Sequence, residues 1–144
     1  MKDYIPSPSK WVADQVDLYE SSGGTQGLTL RDTGLPVVIV TNRGRKTGAV
    51  RKTPLMRVAD GKNYVLIASQ GGAPTHPKWY HNLKAEPNVT IRDRTEVYEM
   101  RVREVTDPAE RERLWKLAVE AYPPYQDYQA RTERQIPVLI AEPI

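Results

Sequence analysis

PVVIVTNRGRKTGAVRKTPLMRVADGKNYVLIAS, Pro36 to Ser69, is the stretch on which the fold turns. Val37 to Val40 is a β-branched run, the composition of a buried strand. RGRKTGA then reads as a basic hairpin loop with glycines near its ends, and VRKTPLMRVA as one returning strand. Asp60-Gly61 is a strong hairpin signal, and NYVLIAS makes a third strand. Further along, NVTIR and TEVYEMRVREV pair around Asp93-Arg94. In the second of them Val97, Glu99, Arg101 and Arg103 alternate with Tyr98, Met100, Val102 and Glu104. IPVLIAEP, Ile136 to Pro143, is the last strand.

The helices lie around these strands. Ser9 to Glu20 carries Val12, Val16 and Tyr19 on one helical face. Lys78 to Lys84 is a short helix stopped before Pro87. Asp107-Pro108-Ala109-Glu110 supplies an N-cap, a proline at the first helical position and a glutamate at the third. Pro123-Pro124 breaks that helix, and Pro124 opens another through Arg131. SSGGTQG, Ser21 to Gly27, reads as a flexible connection. The expected organisation is therefore an N-terminal helical arm, residues 1–30, and a main domain, residues 31–144. Hairpin-linked strands with few helices predict a mainly β fold, a small antiparallel barrel with flanking helices.

Composition limits the function. The chain has 144 residues, 39% hydrophobic and 27% charged, as expected of one globular domain. It has no cysteine, which excludes disulfides, thiolate metal sites and cysteine nucleophiles and suits a cytoplasmic protein. No apolar run is long enough for a membrane span, and MKDYIPSPSKWVADQV has no secretory h-region. A net charge of +3 combined with local clustering points to a site more than to a general polyanion binder.

Three stretches are candidate sites. In the basic hairpin, strand parity puts Arg51, Thr53 and Leu55 on one face and Lys52, Pro54 and Met56 on the other. Arg51 then joins Arg45 and Lys46 in a cationic set suited to phosphate. A solvated turn has the same composition. A P-loop is rejected because its glycine and lysine spacing is not met and the loop joins two strands. In ASQGGAPTHPKWYHNLK, Ala68 to Lys84, the glycines permit close backbone approach to a flat ligand, and Trp79 and Asn82 follow from the short helix. A plain loop with a core tryptophan is the alternative. His76 and His81 are five residues apart, a spacing that suits no single helix face, so no metal is expected. In AYPPYQDYQ, Tyr122, Tyr125 and Tyr128 surround a Pro-Pro corner and either line a pocket or pack as ordinary amphipathic rings. No Ser-His-Asp set, paired-acid site or kinase signature is present, so an enzyme built on this chain needs a cofactor for its chemistry.

TNRGRKTGAVRKTPL, ASQGGAPTHPKWYHNLKAEPNV, AYPPYQDYQ and IPVLIAEP, in this order and spacing, resemble the deazaflavin-dependent nitroreductase family of quinone and nitroimidazole reductases. The resemblance runs from Leu35 to Pro143. It implies a split β-barrel related to FMN-binding pyridoxamine-phosphate oxidases and the use of coenzyme F-420, an 8-hydroxy-5-deazaflavin. By it, Arg45, Lys46 and Arg51 hold the coenzyme's phosphate and glutamate tail, and Thr53, Pro54 and Leu55 run beside the ring. Ala68, Ser69, Gln70, Gly71 and Gly72 approach the ring, and Trp79 and Asn82 close one side. Met56, Tyr122, Tyr125 and Tyr128 line the substrate, with Tyr125, Tyr128 and Ser69 expected at the acceptor oxygen during hydride transfer. Quinones, enones and nitroaromatics are the implied acceptors. Gln70 stands where relatives often have Lys, Thr53 where some have Asn, and Met56 where the nitroimidazole-active member has Tyr, which favours quinone over nitroimidazole reduction. The rivals are an FMN-dependent oxidoreductase on the same barrel, a coenzyme carrier without turnover, and a nucleic-acid-binding barrel. No nucleic-acid partner is expected. A monomer or weak dimer is expected, and the N-terminal segment leaves peripheral membrane contact open.

Overall fold

The computed structural model describes residues 4–30 and 33–144. The boundary expected after residue 30 abuts residues outside the described ones. In chain order the elements are α1 (Lys10–Ser21), β1 (Val37–Arg43), β2 (Val50–Met56), β3 (Ala59–Asp60), β4 (Asn63–Ile67), α2 (Lys78–Ala85), β5 (Asn88–Asp93), β6 (Glu96–Glu104), α3 (Pro108–Ala121), α4 (Pro124–Ala130) and β7 (Val138–Pro143). A single 3-10 turn, Gln70–Gly72, lies between β4 and α2. No helix of the described residues is long and apolar enough to cross a membrane.

The strands form one antiparallel sheet in the order β2-β1-β5-β6-β7-β4-β3. This order closes the barrel. β2 and β3 lie at opposite edges, yet only Arg57 and Val58 separate them in the chain. A link that short spans at most about 10 Å, so the sheet must curl until its edges nearly meet. The result is a barrel split between β2 and β3. The single returning strand expected from VRKTPLMRVA is therefore two strands. The Arg57 N–H still donates to the Pro36 carbonyl beside β1, whereas the Val58 carbonyl accepts from Val65 N–H of β4. Side chains pin the split: Asp93 Oδ2 accepts from Arg57 Nε at 2.8 Å and from the Tyr64 hydroxyl at 2.6 Å.

Three apolar clusters account for the sequence patterns. Val38, Val40, Leu66, Ile91, Met100 and Leu139 fill the barrel with their neighbours. Outside, Val65, Ile67, Val138 and Ile140 meet Leu114, Ala118 and Tyr125 beneath α3 and α4. Val37 and Ile39 meet Val16 and Tyr19 beneath α1. Because β1, β4 and β7 are covered on both faces, they read as continuous apolar runs. β6 is covered on one face only: Met100 and Val102 are buried while Val97, Glu99, Arg101 and Arg103 are exposed, hence its alternation.

The helix starts follow the sequence. Asp107 Oδ2 accepts from Glu110 N–H at 2.9 Å with Pro108 at the first turn of α3. The SSGGTQG segment is not a loose connection. Ser22 Oγ accepts from Thr25 and Gln26 N–H, and Gly24 packs against Arg94, where a Cβ would come within 1.7 Å of the carbonyl oxygen. Glu20 adds ion pairs to Lys52 and Arg92, each 2.6 Å, fastening α1 to β2 and β5.

Candidate active site

The split in the barrel leaves a groove of two joined hollows. The larger, about 500 Å3, is lined by Thr53, Pro54, Leu55 and Met56 of β2, by Ser69, Gln70 and Gly71, and by Trp79, Tyr122, Tyr125 and Tyr128. The smaller, about 390 Å3, holds Arg51, Lys52, Lys78 and Asn82. Ser7, Thr53, Gln70, Pro77 and Trp79 border both, so the two are continuous. One end is apolar and aromatic, and the other is cationic.

β2 supplies one wall because it is an edge strand. Its neighbour β1 occupies one side, and the chain from Tyr4 lies against the other, with Ile5 N–H donating to the Val50 carbonyl at 2.9 Å. Arg51 Nη1 donates to the carbonyls of Ile5 at 3.0 Å and Pro6 at 3.3 Å. Strand parity does not separate Lys52 from Arg51. Both line the smaller hollow, Lys52 from its pair with Glu20 and 5.5 Å over the Tyr4 ring. Alternation still holds along β2, with Leu55 packed on the barrel cluster and Met56 on the clusters outside, but the smaller hollow takes in residues of both faces at this edge. Arg45 is not gathered with Arg51. It borders a separate hollow with Arg43, Gly48 and Glu86, and Lys46 is exposed at the turn. Asn82 nevertheless ties this turn to α2, its Oδ1 accepting from Arg45 N–H at 3.0 Å.

The glycine loop divides its tasks. A Cβ on Gly71 would meet nothing within 4 Å, and Gly71 lines the groove. A Cβ on Gly72 would lie 2.6 Å from the Tyr128 carbonyl oxygen. Gly72 thus serves the contact between loop and α4, and Ala68 is fully buried in the barrel. Neither Gly72 nor Ala68 borders the groove.

The tyrosine wall is one packed group of rings, two of them hydrogen-bonded. The hydroxyls of Tyr122 and Tyr128 are 3.0 Å apart, and Tyr122 meets Tyr125 edge-on with centroids 4.9 Å apart. Burial, then the bond to Tyr128, pushes the Tyr122 phenol up to about 12. Burial, then its two tyrosine neighbours, raises Tyr125 as well. The phenols of Tyr122 and Tyr125 therefore keep their protons through the neutral range, and a protonated phenol can donate to an oxygen in the groove.

The sequence reading missed two contributors. Ser7, Trp11, Val12 and Leu30 of the N-terminal segment border the larger hollow, although nothing in the local pattern of that segment says where it docks. Arg134 holds the 68–76 loop from sixty residues away by hydrogen bonds to Ala68, Ser69 and Ala73. His76 Nδ1 also faces Arg134 Nη1 at 2.9 Å, so it is committed to a cation.

Comparison with known proteins follows the same lines. The family model for F420H(2)-dependent quinone reductase matches residues 11–143. The F420H(2)-dependent quinone reductase Rv1261c of Mycobacterium tuberculosis (strain ATCC 25618 / H37Rv) is 39% identical over 108 residues, 73% of this chain and 72% of that protein. The structure of an F420-H2 dependent reductase, FDR-A, is 50% identical with a TM-score of 0.70, covering 74% of this chain and 94% of its own. A structure described as a domain-swapped dimer is 46% identical with a TM-score of 0.73, covering 94% and 100%. At the level of fold alone, a pyridoxinephosphate oxidase family protein of Clostridium acetobutylicum, 19% identical, superposes with a TM-score of 0.51 over 90% of this chain and 85% of its own.

Proposed function

We propose, because this chain belongs to the F420H(2)-dependent quinone reductase family, that its groove takes the coenzyme with the ring in the larger hollow and the phosphate at Arg51, and the acceptor under the three tyrosines. The chain is an F420-dependent oxidoreductase on a split barrel. The observation that carries the placement is the continuity of an apolar, tyrosine-walled hollow with a cationic one across Thr53, Gln70 and Trp79.

The residues present fit such a coenzyme. A flat ring needs an apolar slot with room for close backbone approach, which β2 and the open side of Gly71 provide. A phosphate needs a planar guanidinium fork, and Arg51 has donors left after its bonds to Ile5 and Pro6. Lys52 adds a second positive charge, and Arg45 and Lys46 would be the cations to hold an extended anionic tail beyond the groove. When bound and reduced, the deazaflavin supplies the hydride.

The remaining work belongs to side chains. Pro54, Leu55, Trp79 and the tyrosine rings keep water from the slot and orient the acceptor. One hydroxyl of the Tyr122–Tyr128 pair donates to the other, which leaves one phenolic proton free for the acceptor oxygen. Ser69 borders the same hollow and offers a second donor. As the acceptor oxygen gains negative charge, these fixed donors stabilise it without reorganising. Met56 lines the same hollow, and an unbranched side chain there in place of a ring favours a flat quinone.

Fluorescence titration with the oxidised deazaflavin coenzyme and with FMN tests the placement. The expected result is micromolar binding of the deazaflavin and weaker binding of FMN. Arg51→Ala should raise the deazaflavin dissociation constant by about 1.5–3 kcal/mol of charged hydrogen bonding. Equal binding of FMN, or an affinity indifferent to Arg51, overturns it. A panel of a quinone, an enone and a nitroaromatic then ranks the acceptors by kcat/KM, with the quinone expected first.

A further inference from the structure

We propose that Arg134 is a positioning residue of this reductase, holding the Ala68–His76 loop so that Ser69, Gln70 and Gly71 present the correct groups to the groove. The inference rests on the groove being the coenzyme and acceptor site. Arg134 lies between α4 and β7, outside the groove lining. Its guanidinium reaches back across the fold and donates through Nε to the Ala73 carbonyl at 2.8 Å. Nη1 donates to the Ala68 carbonyl at 3.2 Å, and Nη2 to the Ser69 carbonyl at 2.7 Å. Nη1 also meets His76 Nδ1 at 2.9 Å, which makes His76 the acceptor, with its proton on Nε2. The Arg134 backbone is itself anchored: its carbonyl accepts from Gln129 Nε2 at 2.8 Å, and Gln129 Oε1 accepts from Ile136 N–H at 2.9 Å.

The loop needs such a support. Gln70, Gly71 and Gly72 have φ of 44°, 63° and 81°, three left-handed residues in succession. Gln70 is not a glycine, and such a residue holds this conformation only when its surroundings impose it. Besides the turn's own bonds, Gly72 N–H to the Ser69 carbonyl at 2.9 Å and Ala73 N–H to the Gln70 carbonyl at 3.1 Å, Arg134 supports it by drawing the carbonyls on either side of the turn to one point. In a trans peptide the carbonyl and the following N–H point to opposite sides. With the Ser69 carbonyl turned to Arg134, the Gln70 N–H is turned away from it. Among the described residues neither Gln70 N–H nor Gly71 N–H has an acceptor, and both residues line the groove. Arg134 thereby leaves two amide donors and the Ser69 side chain for an oxygen of the groove's occupant. Lysine cannot replace it, because one ammonium cannot span four acceptors in a plane.

The test uses Arg134→Lys and Arg134→Ala in the full chain. Hydrogen–deuterium exchange over residues 68–76 reads the loop without coenzyme. Fluorescence titration with oxidised deazaflavin, and kcat and KM with a quinone, read the site. In Arg134→Lys, exchange in this segment should quicken about tenfold while the rest of the barrel keeps its protection, and the coenzyme dissociation constant should rise about tenfold. Added guanidinium at millimolar concentration should restore part of the lost affinity in Arg134→Ala and leave wild type unchanged. Unaltered exchange in Arg134→Lys overturns the proposal. So does quickened exchange with wild-type affinity, kcat and KM, which would make Arg134 a fastener of the loop and nothing more. Wild-type protein that fails to bind the coenzyme counts against the placement of the coenzyme in the groove, whereas the exchange result judges Arg134 by itself.

Discussion

Gly71 and Gly72 are adjacent and both left-handed, yet the structure gives them different work, and a paired substitution to alanine separates the two. Both changes reduce the freedom of the unfolded chain by the same amount. Both also place a Cβ on a positive φ, 63° and 81°, at a cost of about 1 kcal/mol each. The difference is what the new methyl meets. At Gly71 it meets nothing within 4 Å, whereas at Gly72 it comes 2.6 Å from the Tyr128 carbonyl oxygen, 3.0 Å from its Cα and 3.2 Å from Arg131 Cβ. Two of these are backbone atoms of α4, which cannot swing aside as a side-chain tip can. Relief requires moving the loop from the helix, an overpacking cost of about 1–3 kcal/mol. Gly72→Ala should therefore be less stable than Gly71→Ala by about 1–3 kcal/mol, a melting difference of roughly 3–10 °C at this chain length. Urea and thermal unfolding of the coenzyme-free proteins measure it. Gly71→Ala, with its methyl in the groove, should instead weaken coenzyme binding. Equal stabilities within about 0.5 kcal/mol, or a larger loss in Gly71→Ala, would refute the division of labour.

Other expectations follow from the same geometry. Tyr128→Phe breaks the 3.0 Å hydroxyl pair with Tyr122 at a stability cost near ~1 kcal/mol, whereas Tyr122→Phe and Tyr128→Phe together remove the phenolic proton left for the acceptor and should lower kcat at least about tenfold. Because the Tyr122 phenol is pushed up to about 12, the kcat profile of the wild type should show no loss from Tyr122 ionisation between about pH 8 and 10. Burial, then Arg134 and His81, lowers His76 against the opposing pull of Glu104, while the Tyr80 ring lies tilted against it with centroids 4.7 Å apart. The folded state thus favours neutral imidazole. Its stability should be unaffected above the ordinary value of about 6.5 and should fall as pH drops below it, a slope that His76→Gln removes in urea titrations. Asp93→Asn takes the charge from the acceptor shared by Arg57 and Tyr64 and should cost about 1.5–3 kcal/mol in denaturant unfolding, with the Tyr64 phenol, raised by burial and then by Asp93, titrating lower.

Legibility differed between elements for physical reasons. The cap at Asp107, the Pro123-Pro124 break and the Asp60-Gly61 turn were readable because each depends on neighbours within four residues. β6 was readable because one of its faces is wet and the other dry. The division of VRKTPLMRVA into β2 and β3 was not readable, because it depends on which strand stands opposite, Val37–Arg43 or Asn63–Ile67. The role of Gly72 was hidden for the same reason, since a glycine kept for a helix and one kept for a ligand look alike in sequence.

By itself the sequence determined the antiparallel, helix-flanked architecture and the family through the order of its motifs, and it marked out a basic and an aromatic stretch, of which Arg51 and the three tyrosines border the groove. These rest on local periodicity, turn chemistry and residue type, all of which act over short distances along the chain. Only the tertiary structure decided that Lys52 shares a hollow with Arg51 while Arg45 stands in another, that the N-terminal segment completes the groove, and that Arg134 fastens the glycine loop. Those depend on closure of the sheet, which brings β2 and β3 together across the split and sets residue 134 against residue 69. No spacing in the chain encodes such distances; the curled barrel does.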